Sequence, residues 1–185
     1  EVPKVHRGYA GQTLYVNVAT GAIESRPVTG EMKDIFVGGK GFGLWRLWHA
    51  VSGTTKWNDP ENEIVIASGP LAGAIVYPGT GKSLIVAISP LTHIVVDSNV
   101  GGYFGPLLKI AGWDALEVQG KAGEEVVIVI DGDEGRVTIE AAPAEAVDTH
   151  VLAEQMHALY AKNDADKRNI SVVSAGAGSE HTRIG

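Results

Sequence analysis

The sequence has 185 residues, 44% of them hydrophobic and 20% charged, the balance of an ordinary globular chain long enough to bury a core as a single domain. With 22 acidic against 15 basic residues the net charge is −7 and no basic run stands out, which argues against a nucleic-acid partner. There is no cysteine, so the chain holds no disulfide, no thiolate nucleophile and no cysteine-ligated zinc or iron–sulfur cluster.

No apolar segment is long enough to span a bilayer, and the first residues lack the charged-then-apolar order of a signal peptide. A cytoplasmic protein without membrane insertion is expected. Leu14, Val16 and Val18 alternate with polar neighbours, Ala19-Thr20-Gly21 supplies a turn, and Ala22 to Val28 extends again. The pattern predicts a β-hairpin. Glu31 to Phe36 reads as a short helix closed by Gly38-Gly39. The run GGKGFG, Gly38 to Gly43, then opens a longer helix in which Leu44, Leu47, Trp48 and Val51 recur at helical spacing. It is not a dinucleotide fingerprint, because the third glycine of that motif would fall on Leu44 and no buried strand leads in. Lys40 at this helix start could meet an anion; the alternative is that these glycines serve packing alone.

Glu63 to Ser68 forms a near-continuous apolar strand, followed by the loop Gly69 to Gly73. PGTGKS, Pro78 to Ser83, looks like the end of a P-loop, yet Val76 stands where the first glycine belongs. A strand, Leu84 to Ile88, also follows where a P-loop needs a helix. Lys82 therefore lies on the loop side of a strand start, either free for a ligand or simply solvated.

Ile94-Val95-Val96 leads into the polar, glycine-rich turn from Asp97 to Gly105, and then into an apolar helical run. There Tyr103, Leu107 and Ile110 share a stripe, with Phe104, Leu108 and Ala111 beside them, and Gly112 stands where a helix needs its left-handed terminator. Open backbone at such a helix start attracts negative charge, phosphate above all. Asn99 to Gly105 is the candidate phosphate cradle; otherwise Gly101 and Gly102 only permit a sharp turn.

Asp114 to Gln119, Glu125 to Ile130 and Arg136 to Glu140 read as strands. Asp131 to Gly135 has the acids of a calcium loop but not its later ligands, and fits a hairpin turn better. Asp148 caps a helix running to about Ala161, with Leu152, Met156 and Leu159 on one side. His150, Glu154 and His157 lie opposite, as metal ligands or, more simply, as the solvated face. Ile170 to Ser174 reads as a last strand.

Taken in order, the motifs form a recognisable series. The hairpin with its Ala19-Thr20-Gly21 turn, GGKGFG, Pro60-Glu61-Asn62, SGPLAG, the Gly81-Lys82 pair before a strand ending in Ser89-Pro90-Leu91-Thr92, SNVGGYFG and AGWDALEVQGKA are all present. From Tyr9 to Gly178 the chain resembles the N-terminal domain of the tungsten-containing aldehyde:ferredoxin oxidoreductases. The resemblance implies an α+β fold of mixed β-sheets in two related halves with flanking helices, each half with a glycine-led helix start. Residues 1–185 would form one cofactor-base domain. It implies a tungsten or molybdenum bis-pterin cofactor whose two pterins are joined through their phosphates by magnesium. The backbone of Asn99 would help to hold that magnesium, Val100, Gly101 and Gly102 would lie against the cofactor, and Lys82 would contact it.

The family usually has arginine where Lys82 stands; lysine keeps the charge but loses the planar two-pronged grip on phosphate. A second pterin-binding stretch is expected to begin soon after Gly185, and the cysteines of a [4Fe-4S] cluster and the acid–base residues in later domains or a partner chain. The expectation is a fragment or split-gene subunit of an oxidoreductase interconverting aldehydes and carboxylic acids, with a ferredoxin-like electron carrier. The alternatives are a non-redox module binding a nucleotide or other phosphorylated ligand, and a structural subunit of a larger electron-transfer complex.

Overall fold

In β1 (Gln12–Asn17) Leu14 and Val16 point to one side and Thr13 and Tyr15 to the other, and all four are buried, so the strand must be covered on both faces. The computed structural model, which describes residues 6–143 and 148–183, shows how. Strand β1 pairs with β2 (Ala22–Pro27) as the expected hairpin, its loop held by the Asn17 side-chain oxygen, which accepts from the amides of Ala19 and Thr20. Helix α1 (Gly30–Ile35) is capped by Thr29, and α2 (Lys40–Ala50) follows. Next come β3 (Glu63–Ser68), β4 (Ser83–Ile88), β5 (Val95–Val100), α3 (Phe104–Ile110) and β6 (Ala115–Gln119). Six strands form one sheet in the order β2-β1-β6-β3-β4-β5, parallel between β1 and β6 and antiparallel elsewhere. A second sheet contains β7 (Val126–Asp131) and β8 (Arg136–Ala141), joined through the expected turn, and α4 (Thr149–Tyr160) is capped by Asp148.

The α+β class, the mixed pairing and the flanking helices agree with expectation. One face of the large sheet packs Val65, Ala67 and Ala115 against Val28, Met32 and Phe42 from the α1–α2 side. The other packs Leu14, Val16, Ile66 and Leu116 against Leu108 of α3 and against Ile128, Ile130, Val137 and Ile139 of the β7–β8 hairpin. The two glycine-led helices thus cover opposite faces of one sheet.

Their orientation departs from the apolar stripes. In α2 the buried residues are Phe42, Gly43 and Leu47, while Trp48 is 81% exposed. In α3 they are Gly105, Leu108 and Lys109, while Tyr103 is 72% and Ile110 66% exposed. The cause is close approach. A Cβ on Gly43 would stand 2.6 Å from Val86 Cγ2, and one on Gly105 2.3 Å from Ser83 Oγ, so each helix turns its glycine toward β4.

Three further expectations change. Asn99 and Val100 belong to β5, so the turn begins only at Gly101. Leu159 is exposed and Met156 is the buried residue of α4, because Tyr160 donates to Glu140 Oε2 (2.7 Å) and holds that side of the helix toward β8. Ile170 to Ser174 is not a strand: it joins the ladder of neither sheet, and residues 171–174 instead line a cavity beside Val100 and Gly101.

Two buried polar clusters fasten the sheet. Lys109, on α3, reaches the Gly8 carbonyl (3.1 Å) and the carboxylate of Asp114, whose oxygens also accept from the amides of Ala10 (3.1 Å) and Gly11 (2.7 Å). On the opposite face Glu117 accepts from Thr13 Oγ1 and from Arg26 Nη1 (2.7 Å), and Arg46 Nε lies 3.1 Å from it. Glu63 is fully buried beside them, 3.7 Å from Arg26 Nη1, with neither carboxyl oxygen hydrogen-bonded. Burial and then the charge of Glu117, opposed by Arg26 and Arg46, push its carboxyl up to about 8.

Replacing Asp114 with Asn leaves the Lys109 ammonium buried without its counter-charge and should lower unfolding free energy by about 3–5 kcal/mol in denaturant titration. Because Glu63 binds its proton more tightly folded than at the ordinary value of 4.5, the folded chain holds the extra proton between those two values, and stability should fall as pH rises from about 5 to about 8. Glu63→Gln should flatten that slope, which reaches at most about 1.4 kcal/mol per pH unit.

Candidate functional site

Antiparallel pairing of β4 with β5 sets Ser83 opposite Val100 and Leu84 opposite Asn99. Continued by one pair, this register sets Lys82 opposite Gly101, and by two, Gly81 opposite Gly102. The close approach is direct: a Cβ on Gly81 would stand 2.5 Å from the Gly102 carbonyl oxygen. The fold thus joins at one corner the residues that the sequence carries in two separate motifs, Lys82 from one and Asn99, Val100, Gly101 and Gly102 from the other.

The corner is open. Nothing lies within 4 Å of where a Cβ would stand on Gly101 or Gly102, and Gly102 has φ +82°, a conformation that favours glycine. Asn99 and Lys82 are exposed, and among the described residues Lys82 makes no ion pair. Before Lys82, the β3–β4 connection leaves Leu71, Ile75, Val76 and Tyr77 exposed, Ile75 by 98%. Beside Gly101 a cavity of about 330 Å³ is lined by Ile85, Val100, Phe104, Thr149 and residues 171–174.

The helix start contributes less than expected. α3 has seven residues, Tyr103 provides no side-chain cap, and Pro106 in the first turn has no N–H. Open glycine backbone, the outer strand and the lysine make up the candidate cradle instead. Lys40 does meet an anion, but an internal one: its Nζ lies 2.5 Å from Asp97 Oδ1 on β5. Sequence reasoning missed that partner, and it missed Thr149 and residues 171–174 as walls of the corner. His150 is exposed, and no group of three or more His, Asp or Glu among the described residues could hold a metal ion. Backbone carbonyls, bare amides and one ammonium are a donor set for an anionic, oxygen-rich group. They fit a phosphate and its associated hard cation, and not a metal held by side chains.

Residues 13–184 match the family model described as aldehyde ferredoxin oxidoreductase, N-terminal domain. A tungsten-containing aldehyde ferredoxin oxidoreductase of Pyrococcus horikoshii is 33% identical over 174 residues, 94% of this chain and 28% of that protein. An aliphatic sulfonate oxidoreductase, WOR-like subunit, of Pyrococcus furiosus is 35% identical over 130 residues, 68% of this chain and 20% of that protein. Among solved structures, the active site complex BamBC of benzoyl coenzyme A reductase with 1,5 dienoyl-CoA superposes with a TM-score of 0.75 at 29% identity, covering 82% of this chain and 23% of that one. The chain therefore spans about a quarter of the length of the relatives it matches.

Alanine substitutions should separate the two kinds of glycine here. Gly81→Ala drives a methyl into the Gly102 carbonyl and should cost about 1–3 kcal/mol of unfolding free energy, whereas Gly101→Ala, with room around it, should stay within about 1 kcal/mol of wild type.

Proposed function

The chain belongs to the aldehyde ferredoxin oxidoreductase family, as an N-terminal domain, and from that premise we propose that it seats the phosphate-bearing part of a tungsten or molybdenum bis-pterin cofactor. The observation that carries the reading is the meeting of Gly81-Lys82 with Asn99 to Gly102 at the open end of β4 and β5. The Lys82 ammonium neutralises phosphate charge. Gly101 and Gly102 present backbone without side chains, so a flat polar group can approach. Asn99, on the outer strand, would offer its backbone to a magnesium ion associated with the cofactor. The exposed Ile75, Val76 and Tyr77 give the remainder of the oxidoreductase an apolar surface that excludes water from the corner.

When bound, the cofactor supplies two-electron redox chemistry between an aldehyde and a carboxylic acid. This chain's share is to hold and orient; acid–base chemistry and a [4Fe-4S] cluster that hands single electrons to a ferredoxin-like carrier are assigned to the rest of the oxidoreductase.

The test is anaerobic purification of the native oxidoreductase, with its chains identified and tungsten, molybdenum and iron counted. Wild type should carry tungsten or molybdenum. Lys82→Ala should hold the cofactor about ten- to a hundredfold more weakly, the loss of one charge-assisted contact, with little change in melting temperature. A protein free of both metals and of pterin, yet stabilised against heat by a nucleotide, would replace this reading with that of a phosphorylated-ligand module.

A further inference from the structure

Strand β5 is one of the two outer strands of the large sheet. Its ladder neighbour is β4, and Val95 to Asn99 are all exposed. Among the described residues one ion pair ties it to another element, Lys40 Nζ to Asp97 Oδ1 at 2.5 Å. Lys40 is the first residue of α2, where the helix end favours a carboxylate. Asp97 lies two residues before Asn99 on the same face of β5 and is registered opposite Val86, the residue against which Gly43 packs. α2 thus meets β4 at Gly43 and, three residues earlier, reaches across to β5 through Lys40.

We infer that the Lys40–Asp97 pair positions the free end of β5, and with it Asn99 and Gly101, for the cofactor phosphates; the inference rests on the function proposed above. Two consequences of the geometry act together. A strand with one ladder partner gains a second tether two residues before the cradle. A carboxylate that would repel phosphate from two residues away is also cancelled, and Lys82 is left as the uncommitted cation at the end of β4.

The experiment uses the intact, metal-loaded oxidoreductase and compares wild type with Lys40→Met, with Lys40→Met plus Asp97→Asn, and with the exchanged pair Lys40→Asp plus Asp97→Lys. Amide hydrogen exchange at residues 99–102 and the rate of tungsten or molybdenum loss on dilution are both read, alongside melting temperature. An exposed pair of this kind predicts about two- to fivefold faster exchange and metal loss in the first two variants, and recovery of both in the exchanged pair, with melting temperature nearly constant. Metal retention restored by the neutral double variant would make the effect one of charge alone and overturn positioning. So would unchanged exchange and loss rates in every variant, or failure of the exchanged pair to recover either. Absence of tungsten and molybdenum from wild type would instead overturn the function on which the inference rests.

Discussion

Two helices reach β4 from opposite faces through glycine, Gly43 onto Val86 and Gly105 onto Ser83, and the layout of the molecule depends on that double approach. A side chain at either position would push its helix outward and open the core along its length. The closeness sets which residues each helix must leave outside, Trp48 on one and Tyr103 and Ile110 on the other. It also leaves the Ser68 and Ser83 hydroxyls buried without hydrogen-bond partners among the described residues. Unmade hydrogen bonds of this sort each cost on the order of 1–3 kcal/mol, a charge set against the apolar contact that the approach makes possible.

The buried charges work with this arrangement at its two flanks. Lys109 sits near the end of α3 remote from the cradle and, with Asp114, binds the backbone of Gly8, Ala10 and Gly11. α3 is therefore anchored at its end by ions and at its start by Gly105. On the other face Arg26 lies 3.5 Å over the Tyr15 ring while reaching Glu117, and Arg46 of α2 shares the same carboxylate. Strands β1, β2, β3 and β6 and helix α2 are joined by one group of charges there, at the opposite end of the strand order from β5.

What the sequence made legible was local. The hairpin at Ala19-Thr20-Gly21, the cap at Asp148 and the strand at Glu63–Ser68 were read correctly because alternation, turn residues and capping act over a few positions. The facing of α2 and α3 was not, because an apolar stripe says which side can be buried, while a glycine against a strand decides which side is. Ile170 to Ser174 has the composition of a strand but no ladder partner, and composition cannot supply one. For the corner, the residues were visible as two motifs, but their meeting is a property of the β4–β5 register. The pairing of Lys40 with Asp97 follows from where α2 lies, which nothing in either motif encodes. Family membership extended this reach further than periodicity did, to the identity of the group that Asn99 to Gly102 are proposed to hold.

The outer strand β5 has one more consequence, for behaviour in concentrated solution. A row of unpaired amides and carbonyls flanked by exposed Ile94, Val95 and Val96 is a template on which another copy could add a strand. Asp97 interrupts that row near its middle, and a strand added there would strip water from the Lys40–Asp97 ion pair. The same carboxylate that is tied to Lys40 thereby keeps an uncovered edge from recruiting its own kind.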